Sequence, residues 1–386
     1  MNSVYFDHAA TTPVDPRVME TMLPYFTDHF GNASSAHQFG RDSKVAIEDA
    51  RELIAKLIGA EPSEIIFTSG GTESDNAIIK GVVNATRKTE IITSPIEHHA
   101  VIHPAESLKM QGCKVTYLQP DSYGMITPGQ VADAISEDTA IVSLMHVNNE
   151  IGTILPIKEI ADVCREKKIP FHSDTVQSVG KLPVNVKELG VDALSISAHK
   201  IYGPKGAGVL YVKNGTPWLP WLQGGSQERR RRGGTSNVTG IVGLGKAMKL
   251  AIDELDDNLT HFTELRKALT DGLESGFKGR YQINGSTDHT VPHIINLCFK
   301  PDKENGLDGE MLLLNLDIEG ICVSNGSACT SGAVEPSHVL KGIGLADHHA
   351  NSSIRISFGK SNTVEQVQFF LEKLEGVLSR MTPVES

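Results

Sequence analysis

Nowhere does this chain run apolar for long enough to span a bilayer, and its first residues, MNSVYFDHAA, lack the apolar stretch of a secretory signal. The expectation is a cytoplasmic protein with no membrane contact. No two cysteines stand as a C-x-x-C pair. The five present, Cys113, Cys164, Cys298, Cys322 and Cys329, are odd in number and widely spaced. That argues against a disulfide framework and for free thiols in a reducing compartment. It leaves open whether one of them is reactive. An excess of basic charge is missing too. The formal net charge is −11, so direct binding to nucleic acid is not expected. The one basic run, Arg229 to Arg232, reads either as a solvated loop or as a contact for an anion or a protein. Internal repeats and low-complexity linkers are also absent.

What is present suits a globular enzyme. The 386 residues suffice for two domains, and 39% hydrophobic with 22% charged residues is ordinary for that class. Over the first 215 or so residues, short β-branched runs alternate with helix-period segments. The expected strands are Ile65–Thr68, Glu90–Ser94, Lys114–Leu118, Ala140–Val147, Pro170–Asp174, Ala193–Ser197 and Gly208–Val212. The expected helices are Ser43–Leu57, Glu73–Asn84, Ala105–Gln111, Gly129–Ile135 and Ile157–Lys167. Such alternation predicts an α/β fold with a mostly parallel sheet and helices on both faces, with ligands at the carboxyl ends of the strands. From about Asn237 the pattern changes. One long helix is expected over Val238–Leu273, then strands at His293–Phe299, Gly320–Val323 and Ser353–Phe358, and a last helix over Thr363–Met381. This reads as a second, smaller α/β domain.

The chemistry concentrates between Phe171 and Gly208. Asp174 ends one apolar run, and Lys200 follows 26 residues later in SISAHK. An enzyme that holds pyridoxal phosphate as a Schiff base needs both residue types. A lysine amine forms the imine, and a carboxylate keeps the pyridine nitrogen protonated. Ser69-Gly70-Gly71-Thr72-Glu73-Ser74 follows a strand and opens a helix. It can cradle a phosphate on helix N–H groups, although it is also an ordinary helix start. Glu97-His98-His99 with His103 could suggest a metal cluster, but no further carboxylate or thiol completes an obvious ligand set. One of these imidazoles can stack on a cofactor ring instead. His199 is a candidate phosphate donor. Asn149 and Gln177 are candidates for the ring hydroxyl or the substrate. Cys329 lies in SNGSACTSGA, among small residues with no large apolar anchor, where an exposed thiol can act as a nucleophile. Arg355, in SSIRIS, suits capture of a carboxylate.

In ten motifs taken in order the chain resembles the cysteine desulfurases of the IscS/NifS type. These are fold-type I pyridoxal phosphate enzymes of the class V aminotransferase family. The motifs are YFDHAATTPVD, GNASSAHQFGR, FTSGGTESDN, EHHAV, MHVNNEIG, HSDTVQSVGK, SAHKIYGPKG, GGSQE…GGT, SNGSACTSG and EPSHVLKGIG. They cover essentially the whole length.

The resemblance implies a large domain over 16–259 with a seven-stranded sheet. It implies a small domain from 1–15 and 260–386 that carries the cysteine loop at about 324–335. It implies that Lys200 bears the cofactor and Asp174 meets the pyridine nitrogen. His98 would stack on the ring and take part in proton transfer. Gly71, Thr72, Ser197 and His199 would hold the phosphate, and Thr235 would reach the phosphate of the other subunit of a homodimer. Asn149 and Gln177 would contact the ring hydroxyl. Asn32, Asn149 and Arg355 would bind the substrate, L-cysteine. Cys329 would carry the persulfide to an acceptor, such as an iron–sulfur scaffold or a tRNA-thiolation enzyme. It is also a candidate ligand for an iron–sulfur cluster. Cys329 and Arg355 lie 26 residues apart, which resembles the long-loop subgroup rather than the SufS-like one. Two positions depart from the pattern: the run Arg229–Arg232 is more basic, and Ala33 stands where proline is common. Selenocysteine lysis, a plain aminotransferase and a non-catalytic scaffold remain as alternatives.

Overall fold

Seven short strands, rich in β-branched residues, join into one sheet in the spatial order Ile65–Thr68, Gly208–Val212, Ala193–Ser197, Phe171–Asp174, Thr139–Ser143, Glu90–Thr93, Lys114–Tyr117. Gly208–Val212 runs antiparallel to both neighbours, and the remaining pairs are parallel. The computed structural model of the chain describes residues 3–299, 307–325 and 336–381.

Side chains alternate across this sheet, as a two-residue period requires. Ile65, Phe67, Leu194, Ile196, Val209 and Tyr211 enter one apolar cluster, with the helices Gln38–Ile58, Ile157–Glu166 and Val238–Asp253. Ile66, Ala193, Leu210 and Val212 enter another, with the helices Gly71–Thr86 and His99–Lys109. Both faces are covered, which is why the strands read as apolar runs rather than as alternating patterns. The α/β sheet expected from sequence is present, with all seven strands. The strand expected to reach Val147 stops at Ser143. His146 still donates its N–H to Asp174 O, but the chain then turns at Asn148, whose side chain accepts from the N–H of Glu150 and Ile151.

The long helix expected over Val238–Leu273 is two helices, Val238–Asp253 and Leu255–Gly276, joined at Glu254. Glu254 faces Arg17 and Lys360, and these ion pairs hold the corner. The first helix packs on Gln38–Ile58, the second on Val364–Met381. Beyond the corner, Ser353–Ser357, Ile294–Phe299 and Tyr281–Asn284 form an antiparallel sheet. Its apolar cluster draws on Phe262, Leu265, Leu269, Ile295, Leu297, Ile354 and Phe370, and takes in Val4 and Phe6. The strand Val4–Tyr5 pairs in parallel with Ile321–Cys322. Among the described residues no helix is long and apolar enough to cross a membrane.

Candidate active site

Three parallel strands of the large sheet end side by side at Ser143, Asp174 and Ser197. The turns that follow them line a cavity of about 380 Å³. Ala9, Ala10, Gly71, Thr72, His98, Asn149, Asp174, Gln177, Ser197, His199, Lys200, Ser324 and Arg355 all border it. Ten residues expected in the site from sequence are therefore brought together. Asn32 and Thr235 are not. Both are exposed and lie away from the cavity, and Asn32 is occupied in a local turn with Ser34. Cys329 lies outside the described residues.

Lys200 ends a single 3₁₀ turn, Ala198–Lys200, at the tip of its strand. Its Nζ donates to Ala9 O at 2.6 Å and to Ala10 O at 2.7 Å. Burial, then the nearby Arg355 guanidinium, lowers its pKa to about 8. The carboxyl of Asp174 is buried and accepts from Val176 N at 2.9 Å. Two more buried carboxyls lie close by, Asp75 and Glu97. Burial raises the pKa of all three, and the charge of Asp174 pushes Asp75 and Glu97 further. Asp174 alone is pulled back by Lys200, so it is the one that ionises most readily. His172 sits among them, fully buried, with Ser143 Oγ at 2.9 Å from Nδ1 and Ser195 Oγ at 3.0 Å from Nε2. Its pKa falls to about 3 through burial, so it is neutral.

His98 caps the helix His99–Lys109, its Nδ1 accepting from Ala100 N at 3.1 Å. The proton of the neutral ring is therefore on Nε2. The enclosing protein, then Lys200 and the imidazoles of His99, His338 and His103, hold its pKa down. The helix Gly71–Thr86 starts at the cavity wall, and its first-turn N–H groups are open to an anion. Packing is tight at this start: a Cβ on Gly71 would lie 2.7 Å from Val176 Cγ2. His199 Nδ1 lies 3.1 Å from Thr11 Oγ1. Arg355 is held by Asp7 at 2.8 Å and by Asn149 O at 2.9 Å, which among the described residues leaves three of its five N–H groups, including Nε.

Sequence reasoning passed over Asp75, His172, Lys181 and Asp7, and gave Glu97 no role of its own. Two signals were available. Asp75 follows the cradle motif directly, and His172 and Lys181 stand on either side of Asp174 within HSDTVQSVGK.

The family profile for aminotransferase class V matches residues 4–370. The chain belongs to the class V aminotransferase family. Among its relatives, cysteine desulfurase IscS of Dictyoglomus turgidum is 49% identical over 99% of this chain and 96% of its own. A putative cysteine desulfurase IscS of Bacillus subtilis is 46% identical over 99% of this chain and all of its own. Of solved structures, a NifS-like protein superposes with a TM-score of 0.90 at 40% identity, covering 98% of this chain and 100% of that one. A second, SspA in complex with cysteine, gives 0.81 at 39% identity over 92% and 98%. Pyridoxal 5′-phosphate is the cofactor of this class V family. The cavity fits that cofactor. Its volume lies in the usual range for small-molecule sites, about 300–1,000 Å³. It offers an amine, a buried carboxyl, a helix N-terminus and the buried Asn149 Oδ1, which has no partner among the described residues.

Proposed function

We propose that this chain is a cytoplasmic cysteine desulfurase that transfers the sulfur of free L-cysteine to Cys329 and releases L-alanine. One observation carries the reading: the Lys200 amine, the buried Asp174 carboxyl and the Arg355 guanidinium border one cavity. The cofactor, when bound, supplies an electron sink for the pair left as the substrate Cα loses its proton. Lys200 Nζ would hold the cofactor and would accept the proton from the substrate Cα. A pKa near 8 makes it a usable base close to neutrality. Asp174 would hold a proton at the ring nitrogen. His98 would lie beside the ring and would use Nε2–H as a proton donor, since Nδ1 is already engaged. Gly71 and Thr72 bind the phosphate at the helix start, with Ser197 and His199 as further donors. Asn149 and Gln177 meet the ring hydroxyl. The free N–H groups of Arg355 bind the substrate carboxylate, with Asn149 beside them.

The Cys329 thiolate attacks the substrate sulfur. An S–S bond forms, the C–S pair stays with carbon, and protonation there gives alanine. Chain length is compatible with a reach from Cys329 to the cavity. It follows Ser324, which lines the cavity, by five residues, a span of at most about 17 Å. On the other side the chain is anchored by Ser337, whose Oγ donates to Glu150 Oε2. The persulfide then passes to an acceptor protein, an iron–sulfur scaffold or a tRNA-thiolation enzyme. A homodimer accounts for Asn32 and Thr235. Leu23, Phe26, Phe30 and Phe39 stand half or more exposed along the chain either side of Asn32, a face suited to self-association.

The test is a cysteine-to-alanine assay with reductant on wild type, Lys200→Ala and Cys329→Ser. Sulfide release is expected to vanish in both variants, with the yellow colour kept only in Cys329→Ser. Full turnover by Cys329→Ser would refute the proposal.

A further inference from the structure

Lys181 is 8% exposed, and among the described residues no carboxylate is paired with it. The charged groups facing it are the cations Lys200 and Arg355, and the imidazoles of His8, His199 and His293 lie around it. With His8 it also borders a cavity of about 20 Å³, room for about one water. Burial, then Lys200 and Arg355, lowers its pKa to about 7, and an amine buried among cations without a counter-ion is costly, so its position calls for a reason. Its one hydrogen bond among the described residues supplies it. Lys181 Nζ donates to Gln177 Oε1 at 3.1 Å.

A glutamine amide can sit either way round, and its partners decide which. Ala9 O can only accept, and the Lys181 amine, charged or neutral, has N–H to donate. Lys181 and Ala9 O together therefore fix the oxygen of Gln177 toward Lys181. The amide nitrogen must then face the other way, and one of its hydrogens goes to Ala9 O at 2.9 Å. That same carbonyl accepts from Lys200 Nζ. The second amide N–H remains, on a side chain that borders the active-site cavity.

We propose that Lys181 is a positioning residue: it locks Gln177 so that the amide presents an N–H, never its oxygen, to the ring oxygen of the cofactor. The inference rests on the proposed pyridoxal phosphate chemistry and adds to it. A donor at that oxygen favours its ionised form. The bound chromophore then gives up its proton at a lower pH than it would beside an amide free to turn over.

The experiment uses holoenzyme from wild type, Lys181→Met, Gln177→Leu and the double variant. It reads the pH midpoint at which the bound cofactor loses its yellow colour, together with the dissociation constant for pyridoxal phosphate. Lys181→Met is expected to raise the midpoint by about one pH unit, the size of one lost hydrogen bond. Gln177→Leu is expected to raise it similarly, and the double variant no further than Gln177→Leu alone. If Lys181→Met does not fold, Lys181→Gln, which adds an acceptor, is expected to give a smaller rise in the same direction. An unmoved midpoint in the folded Lys181 variant overturns the inference. So does a Lys181→Met shift of equal size in the Gln177→Leu background, which would mean the charge acts through space. Wild-type protein that takes up no cofactor overturns both this inference and the functional reading beneath it. Wild type that colours and turns over cysteine, with no Lys181 effect, overturns this inference alone.

Discussion

The side chain of Glu90 is 1% exposed and collects four donors. Lys114 Nζ lies at 2.6 Å, Thr116 Oγ1 at 2.8 Å, Ser136 Oγ at 2.5 Å and Thr139 Oγ1 at 2.9 Å. Burial alone would raise its pKa, but the donors, Lys114 foremost, bring it to about 2. The folded value is thus below the unfolded one. The stabilisation is complete above roughly pH 4.3, the value of a free glutamate, and is lost as pH falls toward 2. Glu90→Gln is expected to lower stability at neutral pH by about 1–3 kcal/mol. Its melting temperature should also depend less on pH in the acid range than that of wild type. A variant with an unchanged acid profile would show that the four donors do not act through charge. At this scale the sequence was most informative where chemistry needs a rare residue in a fixed place. Lys200 and Asp174 are of that kind. Lys181 was hidden because its significance lies in its burial and in one neighbour's amide, neither of which a linear pattern displays.

Three consecutive residues, Glu228, Arg229 and Arg230, take left-handed backbone angles, with φ of 45°, 57° and 64°. Each such L-residue costs about 1–2 kcal/mol. The segment is held by Arg51, which is buried and donates to both oxygens of Glu228 at 2.8 and 2.9 Å. Phe67 N donates to the same carboxylate at 3.0 Å. Arg229 pairs with Glu48 and Arg232 with Glu73, while Arg231 donates to Ser63 O and Ile65 O. Three of the four guanidinium groups in the basic run are therefore occupied within the chain. Arg51→Ala leaves the Glu228 carboxylate buried and unpaired, and is expected to cost about 3–5 kcal/mol in denaturant unfolding. Arg230→Gly should instead stabilise by about 0.5–1 kcal/mol, since glycine takes this conformation freely. Reduced stability in that variant would mean the Arg230 side chain contributes more than its backbone loses. Elements were legible in sequence where their period was clean, as in the seven strands of the large sheet. The break at Glu254 was not, because its cause is tertiary: Arg17 and Lys360 are remote in sequence. The strand Tyr281–Asn284 was also passed over; it is four residues long, and Asn284 alone of them is buried.

For the molecule as a whole we propose a large domain over 16–259 and a small one from 1–15 with 260–386. The division is supported by the two main apolar clusters, one drawing on Val18 to Ala251, the other on Val4, Phe6 and residues from Phe262 to Leu378. A smaller cluster, of Ile96 and Ile151 with Val339, Leu340, Ile343 and Ala350, ties the two together. The proposed homodimer has its own test. Phe26→Glu with Phe30→Glu, which leave the cavity untouched, are expected to give a monomer by size-exclusion chromatography. Cofactor affinity should fall in the monomer, because Thr235 would no longer be supplied across the interface. A double variant that stays dimeric would mean another face is used.

The pairing of Val4–Tyr5 with Ile321–Cys322 bears on how the molecule is made. A ribosome releases the opening strand more than three hundred residues before its partner exists. The nascent sheet can condense early, as domains do during synthesis. The two carbonyls that hold the Lys200 ammonium, those of Ala9 and Ala10, are joined to that waiting strand. Vectorial synthesis therefore leaves the catalytic centre to be completed last, once almost the entire polypeptide has emerged.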